Sequence, residues 1–437
     1  MRASSRLFRS IALVLGAAAV TTELSGCSGG SQSPAHEKIR GETITVVMPA
    51  PPPPKKLLDR FTAQTGVTVK WNNVDFDSIT TKVAAGGAAR TYFGDVTYFN
   101  FLNGPQYAKL KWFLPLDTLL DPGVTKDTLG KSAFTYDKKL YGVPWDASVG
   151  VTTLNKSMFA KAGITSLPTT MDDYTADLVK IKRAGIVKYP LSMPFSAAEG
   201  LTVYWIQTTV AFGGASIFDK HGKEQFSSPS SPGYKAAQWM ISALKTGLVS
   251  PGAVNDGDSQ AQGLQAQGLS ASSLVDYAGN VSSLYDDPKQ SKVVGQVVYL
   301  PVPGAHGPVR SINLSDGIGV PAFAKHPAAA AKFVSWLIDG KNQIKFGGAG
   351  ASDEVWSAQY LPSNYPALTT LNAKGKVGDG AVLLNILKNH SQPYFPYGTP
   401  EWYPAFSHAV QTSLHAAATG TMTVPDAIKA MAAAATH

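Results

Sequence analysis

The sequence predicts an α/β protein made of two lobes with strands crossing between them, and three observations carry that prediction. The chain has 437 residues, more than a single hydrophobic core normally supports, so it is expected to divide. Beyond the N-terminal region it runs strand, loop, helix, strand, the order of an α/β layer with a largely parallel sheet. Residues 140–159, LYGVPWDASVGVTTLNKSMF, turn at Tyr141-Gly142 and then run extended, with Pro144 forbidding a helix. A proline is tolerated in an edge or connecting strand, so this segment is read as leaving one lobe and entering another. A hydrophobic fraction of 44% with 16% charged residues fits a globular chain.

Taken in order, the chain begins with Arg2, Arg6 and Arg9, an apolar run over residues 11–20, and Leu24-Ser25-Gly26-Cys27. Ten apolar residues are too few for a permanent membrane span but suit a secretory signal. Cys27 is the single cysteine of the chain, so no disulfide can form within it, and Leu-Ser-Gly-Cys resembles a bacterial lipobox in which that thiol takes the lipid. The polar stretch 28–41 reads as a flexible tether. The net charge of +8 falls to +6 once the leader's three arginines and Glu23 are set aside. The Lys and Arg are scattered, without the basic patches or aromatic-basic motifs that nucleic-acid binding needs.

Residues 43–48, TITVVM, form a buried-strand pattern, and the prolines at 51–54 stiffen the loop that follows. Leu57, Leu58 and Phe61 mark one helical face, residues 67–71 return as a strand, and residues 95–99, DVTYF, give the next. Ligands of open α/β sheets bind beyond the carboxyl ends of the strands, which singles out the loops at 49–54 and 72–76, the latter with Asp75, and the positions Phe99 and Asn100. Thr169 or Thr170, followed by Asp172 and Asp173, caps a helix. Residues 201–214, with Tyr204 and Trp205, read as a helix closing on a double Gly, and Ala236, Trp239, Met240, Ala243 and Leu244 as a helix packed on one side, with Trp239 in the core. Residues 261–280 read as helix, Gly268, strand and a Gly-containing turn with Tyr277 and Asn280, where backbone can approach a ligand. A strand over 293–300 ends rigidly at Pro301-Val302-Pro303-Gly304, the place expected for a second crossing. Arg310, Asn313 and Asp316 then precede Gly317-Ile318-Gly319-Val320-Pro321, and a helical stripe follows over 330–338. A third crossing is expected near 347–361. The aromatic, Pro-rich stretch 394–403, with Trp402, is a loop, and Thr423 to Asp426 open a last helix as a capping box.

In series these segments resemble the family 1 extracellular solute-binding proteins, the sugar-binding proteins of ABC importers. The likeness lies in Tyr141-Gly142-Val143-Pro144-Trp145 with Asn155-Lys156, and in the Gly-rich stretch 84–89 before Asp95-Val96 and 114–117. It continues through 162–164 with 168–173, the aromatic-Gly turn 276–280, the segment 317–321 and the final helix pair. Thr153-Leu154 stands where the family has an aromatic, and Gly94 where it has a proline. The resemblance extends from about residue 43 to the end.

It implies a periplasmic-binding-protein-like fold, two α/β lobes joined by a multi-strand hinge with a ligand cleft between them. Residues 1–26 would be a lipoprotein signal peptide, 27–41 a tether, 42–147 with 303–348 the N-terminal lobe, and 148–302 with 349–437 the C-terminal lobe. The implied function is capture of a sugar or oligosaccharide by hinge closure and delivery to an ABC permease, by a monomer anchored to the cell membrane through Cys27. Neither catalysis nor a cofactor is implied. The candidate ligand-binding residues are Trp145, Asp146, Phe99, Asn100, Asp75, Tyr204, Trp205, Tyr277, Asn280, Arg310, Asn313, Asp316 and Trp402. Aromatic faces would stack on the sugar ring while Asp, Asn and Arg meet its hydroxyls.

Catalytic signatures are missing: there is no G-x-S-x-G, H-E-x-x-H, phosphate-binding loop or Cys/His cluster, and the eight histidines are dispersed. Two alternatives remain open at this level. One is a secreted carbohydrate-active hydrolase or lyase using Asp146 and Asp316. The other is an anionic ligand paired with Arg310.

Overall fold

A computed structural model describes residues 39–348, 355–356 and 361–435. The proposed signal, most of the tether and Cys27 lie outside the described residues, as does most of the expected third crossing.

The first strand, β1 (Thr43–Met48), is followed by α1 (Lys55–Thr65), β2 (Thr68–Asn73), α2 (Phe76–Ala89) and β3 (Val96–Phe99). Apolar spacing decides their burial: Leu57 and Phe61 of α1 face inward, and β3 is buried along its whole length. Asp95 ties this layer together, its carboxylate accepting the N–H groups of Thr45, Lys325 and His326. The crossing segment divides as its proline requires, into β4 (Val143–Pro144) and β5 (Gly150–Asn155), which belong to different sheets. There follow α3 (Met171–Arg183), α4 (Glu199–Ala211), α5 (Pro232–Lys245), α6 (Asp258–Ala266), β6 (Ser272–Tyr277) and β7 (Val297–Leu300). The rest runs β8 (Ser311–Ile312), β9 (Gly317–Gly319), α7 (Pro327–Ile338), β10 (Ser391–Gln392), α8 (Tyr403–Ala418) and α9 (Val424–Ala434).

Among the described residues, one sheet has the order β2-β1-β3-β9-β4. Strands β1, β2 and β3 are parallel, and β9 runs antiparallel between β3 and β4. Pro144, which has no N–H to donate, sits on the edge strand, the place a proline tolerates. Gly317 lies opposite Phe99 and Pro144, and a Cβ there would collide with the Phe134 ring and the Phe99 carbonyl. The second sheet, β6-β5-β7, is antiparallel throughout, so the α/β expectation for this side is met by helices packed on an antiparallel sheet. Its central strand β5 is wholly buried, and its threonines are satisfied in place: Thr152 donates to the Leu274 carbonyl at 2.7 Å and Thr153 to Asp276 at 2.9 Å.

The chain passes between the sheets twice among the described residues, from β4 to β5 and from β7 to β9. These connections lie side by side: Val149 bridges to Asn313, and the Trp145 N–H donates to the Asp316 carbonyl at 3.1 Å. Asp146 also bridges to Pro362, which brings a third segment alongside. After β7 the chain stays with the second sheet's neighbours longer than the expected boundary at residue 303, because Gly304 bridges to Thr170 and β8 pairs with β10. Gln207, in the middle of α4, holds this return segment, donating to the Arg310 carbonyl at 3.1 Å and accepting the Ile312 N–H at 2.7 Å.

Candidate solute-binding cleft

A cavity of about 670 Å³ opens where the carboxyl end of β3, the crossing strands, the starts of α4 and α6, and the end of β6 converge. Its crossing side carries Tyr98, Asn100, Asp146 and Asp316, and its helix side carries Glu199, Gly200, Asp258, Tyr277 and Asn280. Ligand positions beyond strand ends are what an α/β sheet leaves open.

On the crossing side, the Asp316 N–H donates to Asp146 Oδ1 at 2.7 Å, and the Tyr98 hydroxyl donates to Asp316 Oδ1 at 3.1 Å. Burial pushes the Asp146 carboxyl well above the usual carboxylate range, and the neighbouring Asp316 charge adds to the rise. Burial raises Asp316 too. Two acids so placed do not both ionise freely. Asn100 accepts the Leu102 N–H at 2.9 Å, which fixes the turn just past β3.

On the helix side, Glu199 and Asp258 are the first residues of α4 and α6, where carboxylates favour the positive end of the helix. Tyr277 donates to Asp258 Oδ2 at 2.7 Å. Glu199 accepts from the Tyr403 hydroxyl, from Ser407 at 2.6 Å and from Gln411 at 3.0 Å, all on α8. Burial outweighs these three bonds and pushes its carboxyl up to about 7. Asn280 reaches from the cavity rim to Asp276, which is buried and also receives Thr153 and Tyr285.

Five of the sequence-predicted residues therefore line the cavity together: Asp146, Asn100, Tyr277, Asn280 and Asp316. The others sit elsewhere, each for a physical reason. Trp145 is 4% exposed and stacks on Trp356 with ring centroids 5.1 Å apart, because successive residues of an extended strand face opposite ways and Asp146 takes the cavity side. Phe99 is fully buried against Tyr107 and Phe113 for the same reason, leaving Tyr98 and Asn100 on the cavity face. Tyr204 and Trp205 are core, since α4 is buried on every side from Leu201 to Ala211; their polar atoms bond to the Leu274 N–H and the Gly233 carbonyl. Asp75 and Arg310 are exposed and away from the cavity, and Asn313 turns its carbonyl oxygen to the Ser315 N–H. Trp402 packs edge-on against Phe218 at 4.9 Å and borders a separate surface groove with Phe395 and Tyr397.

Sequence reading missed Tyr98, Glu199 and Asp258. The signal for Tyr98 was its shared strand face with Asn100. For the two acids it was their place in a first helical turn, hidden because both helices begin two or three residues earlier than their apolar pattern.

Comparison with known proteins agrees with this architecture. The chain matches the family model described as bacterial extracellular solute-binding protein over residues 49–344. A binding protein of Brucella abortus is 27% identical over 211 residues, a match covering 46% of this chain and 48% of that protein, so the chain spans about half the length of these curated relatives. The diacetylchitobiose binding protein DasA of Streptomyces coelicolor is 25% identical over 82% of this chain and 84% of its own. Among solved structures, maltose-bound MalE3 of T. maritima superposes with a TM-score of 0.78 at 21% identity, covering 90% of this chain and 98% of that one, a likeness of fold.

Proposed function

The chain belongs to the bacterial extracellular solute-binding proteins, and we propose that it captures a sugar or oligosaccharide in this cleft for an ABC importer. The observation that carries the reading is the 670 Å³ cavity bounded by both sheets and by the strands that cross between them. A site placed over crossing strands lets a ligand gain contacts from both sides only when the sides approach, and such differential contacts drive closure. Relatives named for maltose and for diacetylchitobiose support the substrate class. The lobe division expected from the sequence, 42–147 with 303–348 and 148–302 with 349–437, enters this proposal with one change: residues 303–313, which pair with Thr170 and β10, go with the second lobe.

We further propose that the protein works as a monomer, tethered to the cell membrane by a lipid on Cys27, and delivers its solute to a permease. Metabolic labelling with palmitate should mark the wild type and spare Cys27→Ala; label on the variant would remove the anchor from the proposal.

The direct test is a thermal-shift screen of residues 28–437 against mono-, di- and oligosaccharides and sugar acids, with product analysis on every hit. A true ligand at a hundredfold excess over its dissociation constant stabilises the native state by about 2.7 kcal/mol. Sugar recovered unchanged supports transport. Cleavage would turn the assignment to an enzyme using Asp146 and Asp316, and a screen without any shift would reject sugars as the class.

A further inference from the structure

We propose that the cleft takes a sugar bearing a protonated amine, an amino sugar or a short chain of them, with the ammonium seated between Asp146 and Asp316. This rests on the solute-binding reading above and names its substrate class.

The first ground is charge. The lining includes four carboxylates, Asp146, Glu199, Asp258 and Asp316, and among the described lining residues no Lys, Arg or His. In a chain of net charge +8 this is a local concentration of acidic groups with no base beside them among the described lining residues. It also turns the structure against an anionic ligand, since Arg310 is exposed and outside the cavity.

Hydrogen-bond direction is the second ground. Both cavity phenols already aim their protons at carboxylates, Tyr98 at Asp316 and Tyr277 at Asp258. A carboxylate offers about four acceptor sites. Glu199 fills three with donors from α8. Asp146 accepts one side-chain-directed bond, from the Asp316 N–H, and Asp316 accepts one, from Tyr98, among the described residues. The capacity left on the crossing side is acceptor capacity, and an ammonium is three donors with no acceptor.

The two acids are also adjacent and partly enclosed, so each opposes the other's charge. A cation between them relieves that opposition, whereas a hydroxyl supplies one donor and leaves it in place. No three His, Cys, Asp or Glu side chains among the described residues come together to hold a metal ion. The remaining walls, with Phe101, Leu201 and Leu314 beside Asn100, Ser148 and Asn280, offer apolar faces and hydroxyl partners for a ring rather than for a bare amine.

Isothermal titration of the purified protein with three β-1,4-linked disaccharides tests this: the glucosamine disaccharide, its di-N-acetylated form, and cellobiose, in low salt and in high salt, with putrescine as a sugar-free amine. The expected result is at least tenfold tighter binding of the glucosamine disaccharide than of either neutral sugar, the gap narrowing in high salt. In Asp146→Asn, whose Oδ1 can still accept the Asp316 N–H, that preference should vanish, the glucosamine disaccharide losing more affinity than either neutral sugar. Asp258→Asn, on the opposite wall, should retain most of it. Equal or tighter binding of a neutral disaccharide would overturn the inference and leave sugar capture standing. Equal loss for all three sugars in Asp146→Asn would reduce that residue to a structural brace and overturn the seat. Putrescine matching the disaccharide would overturn the sugar class. If neither these nor a wider set of sugars binds, this inference and the function it rests on fall together.

Discussion

On the crossing side of the cavity a buried phenol, Tyr98, donates to Asp316; on the helix side another, Tyr277, donates to Asp258. The same pairing serves two different surroundings. Asp258 and Glu199 open helices, where backbone N–H groups and the helix dipole favour negative charge, and Glu199 is further tied to α8 by three donors. Asp146 and Asp316 stand on neighbouring extended segments 170 positions apart in sequence, with no helix end behind them and each other's charge beside them. Under the proposed function the difference separates bracing from binding: Glu199, with three donors from α8, holds the wall together, while Asp146 and Asp316 keep acceptor sites for the proposed ligand.

Three changes sharpen or break that contrast. The largest effect is expected behind the crossing side, where Trp145→Ala removes a buried indole stacked on Trp356. Truncating a buried aromatic costs about 3–5 kcal/mol, measurable by urea unfolding. A variant of wild-type stability would show that Trp145 is not the core that backs Asp146.

The next tests the brace on the helix side through pH. A carboxyl held at about 7 against an ordinary value of 4.5 favours the folded state while it is protonated. That contribution is complete below the unfolded value and is lost as pH rises through the folded one. Wild-type stability should therefore fall, relative to Glu199→Gln, by on the order of 1–2 kcal/mol between about pH 5 and 8. Parallel pH profiles for the two proteins would mean that Glu199 is not enclosed as described.

The smallest effect on stability is expected at Gly200. A Cβ there would lie 2.2 Å from Asp258 Oδ1, and a carboxylate at the end of its side chain can swing aside. Gly200→Ala should cost under about 1 kcal/mol, as mild substitutions do, yet weaken ligand binding severalfold by pulling Asp258 from Tyr277. Unchanged affinity in titration would show that this pair does not shape the site.

Much of the fold was legible in the chain. The run TITVVM, the face of Leu57 and Phe61, and the caps at Thr170 and Thr423 appear where their patterns put them. Pro144 correctly marked an edge strand and a crossing. Site reading failed in a consistent way, by choosing strand neighbours together: Trp145 with Asp146, and Phe99 with Asn100. An extended strand sends such neighbours to opposite faces, so at most one of each pair could reach the cavity. Tyr204 and Trp205 failed differently, because a helix apolar on every side is enclosed and offers no face to a ligand.

By itself the sequence determined the local elements, the two-sheet division, the crossing segment and the family, since each rests on periodicity, turn chemistry or an ordered series of short motifs. Only the tertiary structure decided which face of each strand meets the cavity. It also decided that Asp146, Glu199, Asp258 and Asp316 meet there. The reason is physical: the phase of a strand is set by what its buried neighbours need to pack against. Groups far apart along the chain are brought together by the crossings and by long-range pairing, which no local pattern encodes.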